Sequence, residues 1–315
     1  MESVHTPVLL EETLEYLKPR GKNELMVDAT LGEGGHSKAF LSKYQELKVA
    51  GIDADSNILS VARERLKEYK DRIYYYSGWS QDFFAEYPAE LKRPDTILND
   101  LGVSFYHYKK SGKGFSFATD EFLDMRLDVS EGVPAADLIK RLPVNELADL
   151  LYNNAGERFS RRIASLIVKE RQKGDITTAS ALASLVERAV PASQRHGPVH
   201  PATKTFLALR IAVNGELSRL PNLLEGALRV LEPGGRLGVI SFHSLEDKIV
   251  KNFFRAMNKN CTCPATSPIC NCGQRSVKIL TKKGIAPGKA EIERNPPSRS
   301  ARLRVVEKIL DEDGQ

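Results

Sequence analysis

The sequence has little of what marks a membrane or secreted protein. No apolar run approaches the length that a membrane-spanning helix needs. The opening residues MESVHTPVLLEETLEYL are acidic and amphipathic, and they resemble neither a signal peptide nor a transit peptide. Hydrophobic residues make up 41% and charged residues 28% of the 315 residues, as in ordinary globular proteins. We therefore expect a cytoplasmic protein without a membrane partner, long enough for one large domain or two modest ones.

Cysteine is scarce, and all four cysteines fall within the run CTCPATSPICNCG, at Cys261, Cys263, Cys270 and Cys272. Two C-x-C pairs in a cytoplasmic chain favour a tetrahedral zinc site over disulfides, although zinc knuckles more often use C-x-x-C. A structural zinc ion and a reduced, flexible loop therefore both stay open. We assign no metal to the functional site.

The excess of positive charge is also small, with 46 Lys and Arg against 41 Asp and Glu and a net charge of +5. This balance permits nucleic-acid binding without requiring it. Basic residues are concentrated in residues 278–308 and in the segment GERFSRRIASLIVKERQKG. A solvated helix face explains the second segment about as well as contact with RNA does.

The stretch VDATLGEGGHS, residues 27–37, is rich in glycine and follows an apolar run. Glycine is used where the backbone approaches a ligand or adopts positive φ. HSKAFLSKYQ then has helical spacing, and KVAGIDAD is typical of a second strand that ends near Asp53. A glycine turn followed by a carboxylate about twenty residues on is typical of a nucleoside-binding βαβ unit. An ordinary βα turn also explains the glycines alone.

Strands and helices alternate as far as RPDTILNDLGVS, a further strand that ends at Asp100. From about residue 106 to 205 the sequence is polar, its apolar residues are spaced as in helices, and no segment has a convincing strand pattern. Strand signals resume at GGRLGVISFHS, after one long amphipathic stretch, KTFLALRIAVNGELSRLPNLLEGALRVLEPGG. The pattern predicts an α/β core of residues 1–105 and 206–315, interrupted by a helical domain over residues 106–205. We expect that helical domain to recognise the substrate.

Two classes of enzyme use such a core. A nicotinamide-dependent dehydrogenase has the motif G-x-G-x-x-G/A, whereas Ser37 stands at the position of its third small residue. An S-adenosylmethionine-dependent methyltransferase has acidic residues before the glycine loop and at the ends of the second and fourth strands, where this chain has Asp28, Asp53 and Asp100. The methyltransferase fits better. An NAD-type oxidoreductase and a non-catalytic RNA-binding module are the alternatives.

Several blocks of the sequence are specific enough to indicate a family. In chain order they are HTPVLLEE, VDATLGEGGHS, NDLGVS, GKGFSF, LDMRLD, GERFSRRIA, HPATKTFLALRIAVNGEL, PGGRLGVISFHSLEDKIVK and NPPSRSARLR. With these blocks, nearly the whole chain resembles the RsmH (MraW) family. The resemblance implies an α/β class I (Rossmann-like) methyltransferase with an inserted all-helical domain. It further implies that S-adenosylmethionine is used to methylate N4 of one cytidine in the decoding region of small-subunit (16S) rRNA.

The implied partner is 16S rRNA within the small ribosomal subunit. The sequence does not distinguish naked rRNA from the assembled subunit as the substrate. It also leaves the oligomeric state open, with a homodimer as one option.

The resemblance assigns cofactor-binding roles residue by residue. Gly34, Gly35 and His36 match the donor loop of the family, Asp53 matches its ribose-binding acid, and Asp100 matches its strand-four acid. Two positions depart from the pattern. SGWS places Trp79 where the family has phenylalanine, and an indole stacks on adenine at least as well. DLGVSFYHYK places His107 where the family has a ligand-binding glutamine, whose paired donor and acceptor imidazole cannot present.

Asp100 and His243 are the candidate catalytic residues. A carboxylate at a strand end can accept the hydrogens of the cytosine N4 amine and then its proton. In SFHSLED, Ser241, His243 and Ser244 could line the base pocket. Alternatively, Ser244 caps a helix that begins at Leu245, with Asp247 completing the cap. Methyl transfer itself requires no metal.

Overall fold

The computed structural model describes residues 6–195, 197, 199–259 and 275–309. The run that holds Cys261, Cys263, Cys270 and Cys272 lies outside these residues, so the zinc hypothesis stays a prediction. The chain forms two compact units, one of Met1–Val103 with Arg219–Gln315 and one of Ser104–Ser218. The sequence pattern had placed the two boundaries at 105/106 and 205/206.

Helices and strands alternate in the first unit, and helices dominate the second. The strands are β1 Leu25–Asp28, β2 Lys48–Asp53, β3 Ile73–Ser77, β4 Thr96–Asp100, β5 Arg236–Ser241, β6 Val277–Ile279 and β7 Arg302–Lys308. The α-helices are α1 Leu10–Tyr16, α2 Gly35–Lys43, α3 Ser56–Arg65, α4 Ser80–Ala85, α5 Phe105–Lys109, α6 Ala135–Arg141, α7 Val144–Ala155, α8 Ser160–Glu170, α9 Ala179–Ala189, α10 Thr203–Asn214, α11 Glu216–Val230, α12 Ser244–Met257 and α13 Lys289–Arg294. Short 3-10 helices cover Lys67–Arg72, Ala192–Gln194 and Pro296–Ser300.

The first unit is built on a seven-stranded sheet with the order β3-β2-β1-β4-β5-β7-β6. The five strands from β3 to β5 in this order run parallel to one another, and β7 runs antiparallel to both of its neighbours. Crossover helices connect the parallel strands, as a parallel pair requires. This order with one reversed strand is that of the class I methyltransferase fold, so the predicted fold class is confirmed.

Helices cover both faces of the sheet, which explains why its central strands are apolar in nearly continuous runs. All four residues of β1 are buried. One face packs against α4, α11 and α12 through Phe83, Phe84, Leu224 and Phe254. The other face packs against α1, α2 and α3 through side chains that include Leu14, Phe40 and Leu59. Full burial of each such side chain contributes about 1.5–3 kcal/mol, so the sheet is a rigid base for its loops.

The carboxyl ends of the parallel strands are the part of the fold that positions a site. β1 ends at Asp28, β2 at Asp53 and β4 at Asp100. In register, Asp28 lies beside Gly51 of β2 and Leu98 of β4. Because these strands are parallel neighbours, their three terminal carboxylates lie at one edge of the sheet, where open α/β sheets bind ligands.

The long amphipathic stretch that precedes β5 forms two helices and not one. α10 ends at Asn214, Gly215 adopts a left-handed φ of 60°, and α11 begins at Glu216. A glycine in this conformation ends a helix without strain, whereas a residue with a Cβ is disfavoured there. The hydrophobic period continues through the break, which is why the sequence pattern alone did not reveal it.

The second unit consists of helices joined by loops, with a single isolated bridge between Phe122 and Thr178 in the part of the chain that the structure describes. Amphipathic spacing decides which side of each helix is buried. On α8, for example, Ser160, Ile163, Ala164 and Ile167 are buried.

No helix in the described ranges is both long enough and apolar enough to cross a membrane.

Candidate active site

The glycine loop joins β1 to α2 and is shaped by left-handed backbone. Gly32 and Gly34 have φ of 53° and 77°. A Cβ at Gly34 would lie 2.6 Å from Leu66 Cδ1, and a Cβ at Gly35 would lie 2.7 Å from Pro7 Cγ. These glycines are therefore required by backbone conformation and by close neighbours of the same unit. A ligand would meet the backbone of this loop and not a space left by an absent side chain.

Asp53 connects the end of β2 to the glycine loop. Its Oδ2 accepts a hydrogen bond from the Gly32 N–H at 2.9 Å, and its Oδ1 accepts one from the Asp55 N–H at 2.9 Å. The side chain is only half-buried, and a carboxylate can accept several hydrogen bonds, so hydroxyl donors can reach it. Asp55, in contrast, is 1% exposed and caps α3 by accepting from the Asn57 N–H. Asp53 is the better placed of the two for a ligand.

Buried Asp28 and His36 and partly buried Asp100 form a polar group beside the loop, which we call the acid–histidine cluster. His36 Nε2 lies 3.5 Å from Asp100 Oδ2, and Ser37 Oγ donates to Asp28 Oδ2 at 2.6 Å. Burial raises the pKa of Asp28, the Ser37 hydrogen bond and nearby His36 oppose this rise, and the negative charge of Asp100 adds to it.

Several atoms of the acid–histidine cluster have no hydrogen-bond partner among the described residues. They are Asp28 Oδ1, both ring nitrogens of His36, and Asp100 Oδ1. Buried polar atoms are nearly always paired in folded proteins, so a group of unpaired ones calls for a specific explanation. Acceptors and imidazole nitrogens grouped at the ligand-binding edge of the sheet fit a polar, partly cationic ligand.

Asp100 is held in place by the loop that follows β1. Its backbone N–H donates to Thr30 Oγ1 at 2.6 Å, and its carboxylate is partly exposed, at 17%. The preceding residue, Asn99, is fully buried, and neither atom of its amide has a partner in the described part of the chain. Strand alternation places Asn99 on the opposite face of the sheet from Asp100. The sequence motifs assigned no role to Asn99, although an amide in a strand whose first four residues are all buried was a signal for one.

Trp79 precedes α4 and lies next to the end of β2. Gly78 N–H donates to the backbone carbonyl of Asp53 at 2.9 Å, which fixes the turn that carries the indole. Ser80 Oγ donates to the Ala29 carbonyl, so the same turn is also tied to the glycine loop. The Arg219 guanidinium lies 4.1 Å from the centroid of the Trp79 ring, a cation–π distance. No feature of the sequence indicated this role for Arg219.

His243 caps α12, so the alternative in which Ser244 caps this helix is wrong. Ser244 is the first helical residue, and the His243 side chain accepts from the Glu246 N–H while the Glu246 carboxylate accepts from the His243 N–H. α12 therefore begins at Ser244, one residue before Leu245. The reason is that His243 and Glu246 form the reciprocal cap, whereas Ser244 and Asp247 do not. The hydroxyl of Ser241 is near the Arg302 carbonyl, at 3.5 Å. A catalytic role for His243 stays a prediction.

His107 lies on α5, in the second unit. It is 3% exposed, and its ring centroid is 5.2 Å from that of Phe115 and 5.7 Å from that of Tyr106. The other predicted cofactor-binding residues belong to the first unit, as His243 does. They are Gly34, Gly35, His36, Asp53, Trp79 and Asp100. The predicted cofactor contact of His107 stays a prediction.

Comparison with known proteins identifies the family. The model of the MraW methylase family matches residues 2–309. The chain belongs to the MraW methylase family. Ribosomal RNA small subunit methyltransferase H of Treponema denticola is 55% identical over 98% of both chains. The proteins of that name from Treponema pallidum and Borrelia turicatae are 42% and 45% identical, over 96% and 98% of this chain and 92% and 98% of their own.

The family resemblance drawn from the sequence blocks is thus confirmed, and the chain is a methylase. Membership of the MraW family also gives the unpaired atoms of the acid–histidine cluster a chemical context, because a methylase needs both a methyl-donor site and an acceptor site. The cluster lies where the ends of β1 and β4 meet. The dehydrogenase and the non-catalytic module, which the sequence motifs had left as alternatives, find no support in the comparisons.

Proposed function

We propose that this MraW-family methylase transfers the methyl group of S-adenosylmethionine to N4 of one cytidine in the decoding region of 16S rRNA, in the cytoplasm. The observation that carries the proposal is the acid–histidine cluster, whose buried atoms lack partners at the edge of the sheet beside the glycine loop. The relatives named for small-subunit rRNA support the choice of substrate.

The residues of the first unit fit the parts of the donor. Trp79 offers an indole face for the adenine ring, and Asp53 offers carboxylate oxygens for the ribose hydroxyls. Asp28 Oδ1 is a buried acceptor for the ammonium group of the methionine part. When bound, S-adenosylmethionine supplies a methyl group on a positively charged sulfur that is already a good leaving centre.

Asp100 is the residue that we assign to the acceptor. The N4 lone pair of cytosine is delocalised into the ring, so the amine is a poor nucleophile until its hydrogens are held by an acceptor. Asp100 can accept one N4–H, and it can take that proton once N4 has gained a methyl group and become acidic. His36 Nε2, 3.5 Å from Asp100 Oδ2, helps to orient the carboxylate toward the base.

Two measurements test the proposed function together. Calorimetry with S-adenosylmethionine should show stoichiometric binding, and mass mapping should find a new methyl group on cytosine N4 after incubation with 16S rRNA or small subunits from cells that lack the protein. Donor binding without methylation of either substrate would contradict the proposed acceptor. Binding of nicotinamide cofactors instead would contradict the proposed donor.

Replacing Asp53 with alanine should weaken donor binding by about 1.5–3 kcal/mol, the scale for a hydrogen bond to a charged group. The change removes the acceptor for the ribose and also the bond that holds the Gly32 N–H. Calorimetric dissociation constants measure the effect. Asp55→Ala is the matched control, because it removes a helix cap in the same loop and should change stability more than donor affinity. A larger loss of affinity at position 55 would assign the ribose to Asp55.

Replacing Asp28 with asparagine should stabilise the free protein while weakening donor binding. Burial raises the pKa of Asp28, so its contribution to stability is present below the unfolded value near 3.8 and is lost as the pH rises through the folded value. Asparagine removes this loss and can still accept from Ser37, so the variant should have a higher unfolding temperature than the wild type at neutral pH. Thermal unfolding at several pH values and calorimetry measure the two effects. A variant that is less stable at pH 7 would contradict this account.

A further inference from the structure

Four exposed cations of the second unit lie close together at the amino ends of two helices. Arg158 precedes α8, Arg161 and Arg162 lie in its first turn, and Lys204 lies in the first turn of α10. Lys204 Nζ donates to the Gly156 carbonyl at 3.2 Å, which brings α10 to the loop that leads into Arg158. We call these four residues the arginine patch.

The arginine patch is not neutralised by the protein itself. Within the described ranges, none of its four residues is in an ion pair, and neither helix has an acidic residue in its first turn. The acid of the intervening loop, Glu157, is 4% exposed and accepts a hydrogen bond from the Phe159 N–H. Glu157 therefore stabilises the turn that precedes α8 and does not pair with an arginine.

Three other exposed cations of the same unit do have acidic partners. Lys140 pairs with Asp175, Arg141 with Asp137, and Lys173 with Glu170, at 2.7, 3.2 and 2.9 Å. These cations form ordinary surface ion pairs, which contribute little to stability and are screened by salt. Lys109, Lys110 and Lys169 are exposed and also have no ion pair in the described part of the chain. The arginine patch is distinguished because it groups four such cations at the amino ends of two helices.

The position of the patch is also unfavourable for folding. The amino end of a helix carries the positive end of the macrodipole, so acidic residues are stabilising there and basic residues are destabilising. Hydrophobic packing explains why α8 has apolar residues on its buried face, at Ile163 and Ile167. It does not explain why the exposed face has arginines in the first turn. An anionic partner would reverse the electrostatic cost, because arginines and helix amino ends both attract phosphate.

We propose that the arginine patch binds the phosphate backbone of the rRNA substrate. This inference rests on the proposed function and assigns a surface to it. Arginine binds phosphate in a bidentate manner, and phosphate contacts set position and affinity without reading the base sequence. The patch thus supplies affinity for RNA, while the acid–histidine cluster of the first unit acts on the base.

Salt-dependent RNA binding tests the arginine patch. We compare the full-length chain with the triple variant Arg158→Ala, Arg161→Ala, Arg162→Ala, using a 16S rRNA transcript at KCl concentrations from about 50 to 200 mM. Three lost phosphate contacts should lower the slope of log affinity against log salt by about two to three and weaken binding about tenfold or more at low salt. Donor affinity should stay at the wild-type value.

The matched control is Lys140→Ala, Arg141→Ala, Lys173→Ala, which removes the same number of positive charges from paired positions in the same unit. This control should keep a slope near that of the wild type. If the two triple variants have equal slopes of log affinity against log salt, the arginine patch does not bind the phosphate backbone. The same conclusion follows if RNA binding by the wild type does not depend on salt. A failure of the proposed function gives a different result, because the wild type itself would then not bind S-adenosylmethionine or not methylate rRNA.

Discussion

Asparagine at position 100 is expected to lower the single-turnover rate of methyl transfer by a factor of about a hundred or more, the effect of losing a positioned acid or base. The change keeps the size of the side chain and the backbone bond from residue 100 to Thr30 Oγ1, so the end of β4 should stay in place. It removes the negative charge that accepts the N4 hydrogen and the base that takes the proton. Donor affinity should change much less. Rapid-quench assays with excess enzyme over small subunits measure the rate.

The matched control for this variant is Asp95→Asn, which makes the same change just before the other end of β4. Asp95 accepts from the Leu25 N–H at 2.9 Å and pairs with Lys92, far along the strand from the acid–histidine cluster. This control should methylate at the wild-type rate. If Asp100→Asn does so as well, the carboxylate at position 100 is structural, and the acceptor of the proton must be sought at Ser241, His243 or a nearby carbonyl.

The sequence was sufficient for the parts of the fold that local rules determine. A buried strand followed by glycines and a helix predicts a βα turn, and Asp53 and Asp100 were recognised because each ends an apolar run. The sequence also matched Asp28, Asp53 and Asp100 to the acidic positions of a methyltransferase. The parallel sheet is what brings these three residues to one edge.

The sequence was insufficient where distant packing decides. Gly34 was predicted to leave room for a ligand, whereas the neighbour of its missing Cβ is Leu66, 32 residues further along the chain. Arg219 contacts Trp79 from a helix 140 positions later, and no local pattern encodes that contact. Capping at α12 was decided by Glu246, whose carboxylate accepts from the backbone N–H groups of Phe242 and His243. In the first two cases the deciding residue is distant along the chain. At α12 the motif itself offers two pairs with the same spacing, His243 with Glu246 and Ser244 with Asp247, and only the structure shows which pair forms the cap.

Valine at position 34 is expected to abolish detectable donor binding in a chain that still folds. Gly34 has a φ of 77°, and its missing Cβ would lie 2.6 Å from Leu66 Cδ1. A β-branched residue cannot adopt this conformation without strain of about 1–3 kcal/mol, and Leu66 is fully buried and has little room to move. The glycine loop must therefore shift, and its backbone N–H groups and the Asp53 carboxylate that it contacts should move out of position for the donor. Calorimetry with S-adenosylmethionine measures the loss.

Gly112→Val is the matched control. It distinguishes the collision with Leu66 from the backbone strain that valine causes at any position with a left-handed φ. Gly112 has a φ of 66°, and a Cβ there would meet no atom within 4 Å, so valine imposes a similar backbone strain without a collision. Both variants should stay folded by circular dichroism, because the strain is small against a typical stability of about 5–15 kcal/mol. Donor binding should be lost only in Gly34→Val. A folded Gly34→Val chain with near wild-type affinity would show that the donor does not depend on this loop, and the assignment of Gly34, Gly35 and His36 would then be wrong.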